Sequence, residues 1–105
     1  MNALTNAWSA PQKEVLTRTL KAIAHPTRLA IIDMLEGGRK MTVTEIHTTL
    51  EADQSSVSHH LSIMRDRGVL HSERRGKHIY YSLRHQAYLS LIDCLSRIHS
   101  QSDVI

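Results

Sequence analysis

Apolar residues recur along the first third of the chain at the three- and four-residue spacing of a helix face. They predict one helix from about Pro11 to Ala24 and a second that begins at Pro26. His25 separates the two, because proline disfavours the α conformation in the residue before it but suits a first helical turn. The second helix is expected to stop at Gly37-Gly38. Its buried side is expected to hold Leu29, Ile32 and Leu35.

Two more helices are predicted in the middle of the chain. Thr42 and Glu45 have the spacing of a capping box, so a third helix is expected to start at Thr42. After a break of a few residues, Asp53 is placed to cap a fourth helix that runs to about Arg67. The apolar stripe of the third helix is Val43, Ile46 and Leu50.

A β-hairpin is predicted next. Its strands are Val69–Arg74 and His78–Leu83, joined through Arg75-Gly76-Lys77. In the second strand apolar and polar residues alternate, which is the period of a strand with one buried face. The residues expected on that face are Ile79, Tyr81 and Leu83.

A fifth helix closes the chain, with apolar residues at Tyr88, Leu91, Ile92, Leu95 and Ile98. The fold is therefore expected to be mainly α with a small β-hairpin. Two short helices around a tight turn, followed by a hairpin, form a winged helix-turn-helix. The 105 residues fit a single domain, expected to span residues 1–105 with an ordered core of about residues 11–99.

The fourth helix has an unusual polar face. On a helical wheel Val57, Leu61 and Met64 form a buried stripe. His60 lies at its edge and is expected to be a packed, hydrogen-bonded histidine, with a DNA contact as the alternative. The opposite face carries small polar side chains, which allow close approach to a DNA groove and can hydrogen-bond base edges. The candidate DNA-binding residues of this helix are Gln54, Ser55, Ser56, Ser58, His59 and Ser62. A serine-rich surface helix without a special role is the alternative.

Positive charge is concentrated in one segment. The formal net charge is +3, and the segment from Arg65 to His78 holds five Lys or Arg against two acidic residues. The tip of the hairpin is expected to supply phosphate or minor-groove contacts to double-stranded DNA. The candidate residues there are Arg74, Arg75 and Lys77. A solvated basic face would have the same composition.

Several other classes of protein do not fit the sequence. No apolar run approaches the ~20 residues that cross a bilayer, and residues 1–10 lack the pattern of a secretory signal, so no membrane association is expected. The lone Cys94 cannot form a disulfide within the chain, which favours a cytoplasmic location. No phosphate loop or catalytic motif is present, so we expect neither an enzyme nor a cofactor. A winged-helix module that binds a protein instead of DNA remains an alternative.

Three stretches resemble the ArsR/SmtB family of bacterial repressors. They are residues 20–35 (LKAIAHPTRLAIIDML), residues 54–61 (QSSVSHHL) and residues 74–83 (RRGKHIYYSL). The resemblance covers about residues 15–98. It implies a homodimer that places its recognition helices in successive major grooves of an inverted-repeat operator. It also implies repression that is relieved by an inducer, which the sequence does not identify.

The resemblance further implies that the first and last helices form the dimer interface. Their apolar stripes would leave more exposed surface than a single small domain can cover. The candidate interface residues are Leu16, Leu20, Ile23, Tyr88, Leu91, Leu95 and Ile98.

No metal site is expected from the family pattern. Thr42 and Thr44 occupy the positions of the family's Cys-x-Cys pair, and a hydroxyl is a poor ligand for a thiophilic metal. His85 of one subunit and His99 of the other would meet only across antiparallel helices, and surface histidines are the alternative. Cys94 is expected to be a small buried residue, with an intersubunit disulfide as the other option.

Overall fold

The computed structural model describes residues 9–104, with side chains described for residues 9–100. Five α-helices and three strands make up this part of the chain. They are α1 (Ala10–Ile23), α2 (Pro26–Met34), β1 (Met41–Thr42), α3 (Val43–Leu50), α4 (Gln54–Asp66), β2 (Leu70–Arg75), β3 (His78–Leu83) and α5 (Ala87–Val104), with a 3₁₀ turn at Glu36–Gly38. The predicted winged helix-turn-helix is confirmed. The expected domain also includes residues 1–8 and residue 105, which lie outside the described residues, and α5 continues five residues beyond the expected end of the ordered core.

Side-chain caps fix where the central helices begin. The capping box predicted for α3 is present, because the Glu45 N–H donates to Thr42 Oγ1 (3.2 Å) and the Thr42 N–H donates to Glu45 Oε1 (2.9 Å). Asp53 caps α4 as expected, accepting the Ser56 N–H at 3.0 Å. These caps satisfy N–H groups that the helix itself leaves without partners.

The first helix has a cap that was not predicted from the sequence. Ser9 and Gln12 form a second capping box, so α1 begins at Ala10 instead of Pro11. At its other end α1 stops before His25-Pro26, and the His25 ring caps α2 by accepting the Thr27 N–H at 3.1 Å. The break between the first two helices is therefore where the sequence predicts it.

The wing is a three-stranded antiparallel sheet in the order β1-β3-β2. The strands β2 and β3 pair from Leu70↔Leu83 to Arg75↔His78, and Gly76 in the turn has a φ of 61°, which glycine adopts without strain. The short strand β1 was not predicted. It pairs Met41↔Tyr81 and Thr42↔Tyr80, and so joins the start of α3 to the wing.

The buried face of β3 is shorter than the alternation predicts. Tyr81 and Leu83 are buried at the base of the wing, but Ile79 is 40% exposed, and its burial was wrongly predicted. Ile79 is the second residue of β3, close to the tip of the wing. Strand periodicity sets the direction of a side chain but does not show how far the core extends along the strand.

One core unites the helices and the base of the wing. It consists of Ala22, Ile23, Ile31, Ile32, Leu35, Ile46, Val57, Leu61, Met64, Val69, Leu70, Tyr81 and Leu83. Two predictions fail here. Leu29 is 38% exposed and does not lie on the buried side of α2, while Ile23 is 5% exposed and belongs to the core instead of a dimer surface. Ile23 is the last residue of α1, where the chain turns back into α2 and the helix packs against its neighbours.

The last helix is only partly covered by the protomer. Tyr88, Leu89 and Ile92 pack against the core, whereas Leu91, Leu95 and Ile98 are 38–54% exposed. On α1, Leu16 and Leu20 are each 43% exposed. Within residues 9–104, no helix is both long enough and apolar enough to cross a membrane.

Candidate nucleic-acid interface

The two faces of α4 divide as the sequence predicts. Val57, Leu61 and Met64 are fully buried, while the polar candidates lie on the outside. Gln54, Ser55, Ser56, Ser58 and His59 are exposed, and Ser62 is half-buried. The serine-lined side of α4 is therefore open to solvent, with its short side chains available to a groove.

The turn between α3 and α4 is held by its backbone conformation and by two contacts of His47. Glu51 has a φ of 53°, a left-handed conformation that is uncommon for a residue other than glycine. The Ala52 N–H donates to the His47 carbonyl at 3.0 Å, and the His47 ring contacts the Ala52 carbonyl at 3.2 Å. These contacts make the helix-turn-helix corner a defined structure instead of a loose connection.

The charges at the wing tip are more balanced than the sequence indicates. Arg74, Arg75 and Lys77 are all exposed. However, Glu73 lies 3.2 Å from Lys40 Nζ and 3.3 Å from Arg75 Nε. The hydrogen bond from Lys40, followed by the one from Arg75, lowers the pKa of the Glu73 carboxyl, so this group is ionised at neutral pH.

Lys40 is a wing residue that sequence reasoning missed. It is 33 positions from Glu73, and no local pattern indicates the contact. The pairing of β1 with β3 brings it there, since Lys40 directly precedes β1. A lysine just before an unrecognised two-residue strand carries no sequence signal of its own.

The predicted basic segment does not form one continuous patch. Arg65 lies 3.3 Å from the Asp66 carboxylate, which offsets part of its charge. Arg67 is at the far end of α4 from Gln54 and lines a separate groove of about 460 Å³ against α1. That groove is also lined by Lys13, Glu14, Thr17, Arg18 and Lys21.

His60 is packed and hydrogen-bonded, as predicted. It is 8% exposed and accepts a hydrogen bond at Nδ1 from Arg28 Nε, at 3.1 Å. Arg28 is on α2, the helix that precedes the helix-turn-helix, so this bond links α2 to the buried side of α4. Neither side chain belongs to the polar face.

The described residues form no group of three or more His, Cys, Asp or Glu side chains able to hold a metal ion. Thr42 is used as the cap of α3, and Thr44 is exposed. His85 is exposed beside the ring of Tyr88, and His99 lines an apolar hollow with Leu29, Ile92, Leu95 and Ser96. Cys94 is exposed in the protomer, so its expected burial is wrong there.

The fold is a winged helix-turn-helix, and its second helix, α4, exposes a face of mostly short polar side chains. This is the architecture of a DNA-binding transcription regulator. Comparison with known proteins gives the family. The model of the arsR family of bacterial regulatory proteins matches residues 25–72. The chain is 41% identical over 68 residues to the transcriptional repressor SdpR of Bacillus subtilis, covering 65% of this chain and 74% of that protein.

Solved structures of similar proteins support this family assignment. The transcriptional repressor PagR of Bacillus anthracis superimposes with a TM-score of 0.72 at 37% identity, covering 83% of this chain and 99% of that chain. A homodimeric winged helix-turn-helix DNA-binding domain from Mycobacterium bovis, a possible ArsR-family regulator, gives a TM-score of 0.77 at 26% identity, covering 89% and 88%. The protein belongs to the ArsR family. It is a DNA-binding transcription regulator and not an enzyme.

The balance of charge at the wing tip makes a prediction about DNA affinity. Replacing Glu73 by Gln removes one negative charge near Arg75 and Lys40, so binding to any duplex is expected to strengthen several-fold at low salt. The advantage is expected to shrink as salt is added, because exposed charges are screened. Fluorescence anisotropy of a labelled random-sequence duplex across a salt series measures both effects.

Asp33→Asn is the matched control for Glu73→Gln, since Asp33 is an exposed carboxylate on α2 and not on the wing. It removes the same charge and is expected to change affinity less. Equal gains from the two variants would show that only net charge matters and that the wing tip does not face the duplex.

Proposed function

We propose that the protein is a homodimeric repressor that binds an inverted-repeat operator with α4 in the major groove and is released by an inducer. The observation that carries this proposal is the solvent-exposed polar face of α4, formed by Gln54, Ser55, Ser56, Ser58 and His59, with Ser62 at its edge. Serine and glutamine side chains can hydrogen-bond base edges, and short side chains let the helix backbone approach the groove floor.

The wing supplies the second set of contacts in this proposal. Arg74, Arg75 and Lys77 would lie against phosphates or the minor groove beside the site read by α4. Because Arg75 is paired with Glu73, Arg74 and Lys77 would supply most of the tip's attraction for DNA. These contacts would give affinity and salt dependence more than sequence preference.

The exposed apolar residues of α1 and α5 support a homodimer. Leu16, Leu20, Leu91, Leu95 and Ile98 lie on the two helices that would meet the second copy, with half-buried Tyr88 at the edge. A two-fold dimer would set its two α4 helices about one DNA turn apart. A single domain over residues 1–105, acting in the cytoplasm, is part of the same proposal.

Repression is supported by relatives whose names state that activity, such as SdpR and PagR. No metal or cofactor is assigned to the protein in this proposal. The inducer is left as a ligand to be found, and His85 and His99 are surface residues in this proposal. The competing function is a winged-helix module that binds another protein.

Selection of bound sequences from a random DNA pool, with and without added metal ions, tests the main proposal. We expect an inverted repeat whose half-sites are about one helical turn apart. Ser58→Ala or His59→Ala is expected to change the preference among selected sequences by ~1–3 kcal/mol for each hydrogen bond to a base edge that the substitution removes. The absence of any duplex binding would favour the protein-binding module, and unaltered preferences in both variants would mean that another face reads DNA.

The wing contribution is tested by Arg74→Ala combined with Arg75→Ala. We expect weaker binding to all duplexes and a smaller slope of log affinity against log salt, by about one unit for each phosphate that is no longer neutralised. Arg84→Ala combined with Arg97→Ala removes the same charge from exposed positions outside the wing tip and serves as control. An unchanged slope in the wing variant would remove the wing from the interface.

The dimer is tested by Leu95→Glu, which places a charge on a residue that is 50% exposed in the protomer. We expect sedimentation velocity to show a monomer, because burying an unpaired carboxylate at an apolar interface is costly. Duplex affinity is expected to fall by at least tenfold, since only one half-site is then held. Ser90→Glu, on an exposed position of the same helix outside the apolar stripe, is expected to remain a dimer.

A further inference from the structure

Arg28 links three helices behind the polar face of α4. Arg28 of α2 donates from Nε to His60 Nδ1 on α4, at 3.1 Å. Its Nη1 donates to the carbonyls of Lys21 and Ala22 in the last turn of α1, at 3.2 and 3.4 Å. These carbonyls have few partners within the helix, so the guanidinium satisfies acceptors that would otherwise need water. We call Arg28 and His60 the Arg28–His60 clamp.

The clamp depends on which nitrogen of His60 carries a proton. Because Nδ1 accepts the hydrogen bond from Arg28, the neutral ring must carry its proton on Nε2. A second proton would go to Nδ1 and turn this acceptor into a donor. Two donors, both on cations, would then face each other at hydrogen-bonding distance, and the link between α2 and α4 would be broken.

The surroundings of His60 all oppose that second proton. Its ring centroid is 4.4 Å from that of His25, at the junction of α1 and α2, and 6.2 Å from that of His59 on α4. Arg28 approaches from α2, and the same guanidinium is held by the Lys21 carbonyl of α1. Burial, followed by His25, Arg28 and His59, lowers the pKa of His60 below its ordinary value.

Protonation of His60 is expected to make the folded protein less stable in acid. Between the lowered pKa of His60 and about pH 6.5, the ring is mostly neutral in the folded protein, whereas in the unfolded chain it is mostly protonated. The stabilising contribution of the neutral ring is therefore complete above about pH 6.5. It declines as the pH falls from that value through the lowered pKa of His60.

We propose that the Arg28–His60 clamp positions α4 for DNA and that protonation of His60 releases it, so that the protein leaves its operator in mild acid. The clamp joins α1, which carries part of the proposed dimer surface, to the helix proposed to read DNA. Opening it would change the distance between the two α4 helices of a dimer, which must match the duplex. This inference rests on the proposed function.

The direction of the effect separates it from general electrostatics. The chain contains eight histidines, and protonating them adds positive charge, which by itself strengthens binding to a polyanion. Exposed His59 on the polar face of α4 would act in that sense. A loss of affinity on acidification would oppose this trend, so it would have to come from a change in structure.

The experiment compares DNA affinity with the protonation of His60 in the full chain. The probes are a fluorescein-labelled duplex carrying the inverted repeat selected above and a random duplex of the same length. Affinity is measured at constant ionic strength between about pH 7.5 and pH 5, the range in which histidine titrates. In parallel, NMR of the imidazole rings in the DNA-free protein follows the protonation of His60.

We expect at least a tenfold loss of operator affinity across this range, which begins at the pH where the His60 ring of the DNA-free protein takes up its proton. His60→Asn keeps an acceptor near the position of Nδ1 but does not titrate. The ratio of its affinities at the two ends of the range is expected to show no loss in acid, whatever its affinity at neutral pH. His85→Asn, an exposed histidine outside the clamp, is expected to keep the parent's pH profile.

A second variant tests the clamp from the other side. Arg28→Met removes the donor and its charge, so the NMR midpoint of His60 is expected to move to higher pH, and operator affinity is expected to fall already at neutral pH. If this variant does not fold, the comparison of the parent with His60→Asn still decides.

Three outcomes would overturn the proposal. They are operator affinity that rises steadily toward acid, a loss of affinity that does not begin at the His60 titration, and an acid loss that survives in His60→Asn. Failure of the proposed function looks different, because the protein would then bind no duplex at neutral pH while the NMR titration is unaffected.

Discussion

The rest of the structure depends on the burial of Val57, Leu61 and Met64, which holds one side of α4 against α2, α3 and the start of β2. Each such side chain stabilises the fold by about 2 kcal/mol when it leaves water. A rotation of α4 by one residue, about 100°, would bring Ser58, Ser62 and Arg65 into these positions, or Ser56, His60 and Ile63 if the helix turned the other way. The core therefore fixes the orientation of the polar face as firmly as it fixes the helix.

Most of the fold could be predicted because its signals are local. The Thr42–Glu45 box, the Asp53 cap and the His25-Pro26 break are all encoded within a few residues and appear where expected. The two-residue strand β1 could not be predicted, since it exists only through its pairing with β3. Leu29 and Ile79 were assigned to the core by periodicity, which gives a direction but not the edge of the core.

The candidate site was predicted in its composition but not in its electrostatics. The helical wheel predicts which residues of α4 are exposed, because a surface helix that buries its apolar side presents its polar side to solvent. The pairing of Glu73 with both Lys40 and Arg75 depends on the third strand and has no local signal. The Arg28–His60 bond joins residues 32 positions apart and likewise depends on tertiary packing.

The position of β2 in the sheet gives its charges a further consequence. With the order β1-β3-β2, β2 lies at an edge, and its outer N–H and C=O groups are free to pair with a strand from another molecule. Glu73, Arg74 and Arg75 lie along this edge, and charged side chains disfavour such pairing. The arginines that suit the wing for a polyanion thus also disfavour edge-to-edge pairing between molecules, the contact by which exposed strands start aggregation.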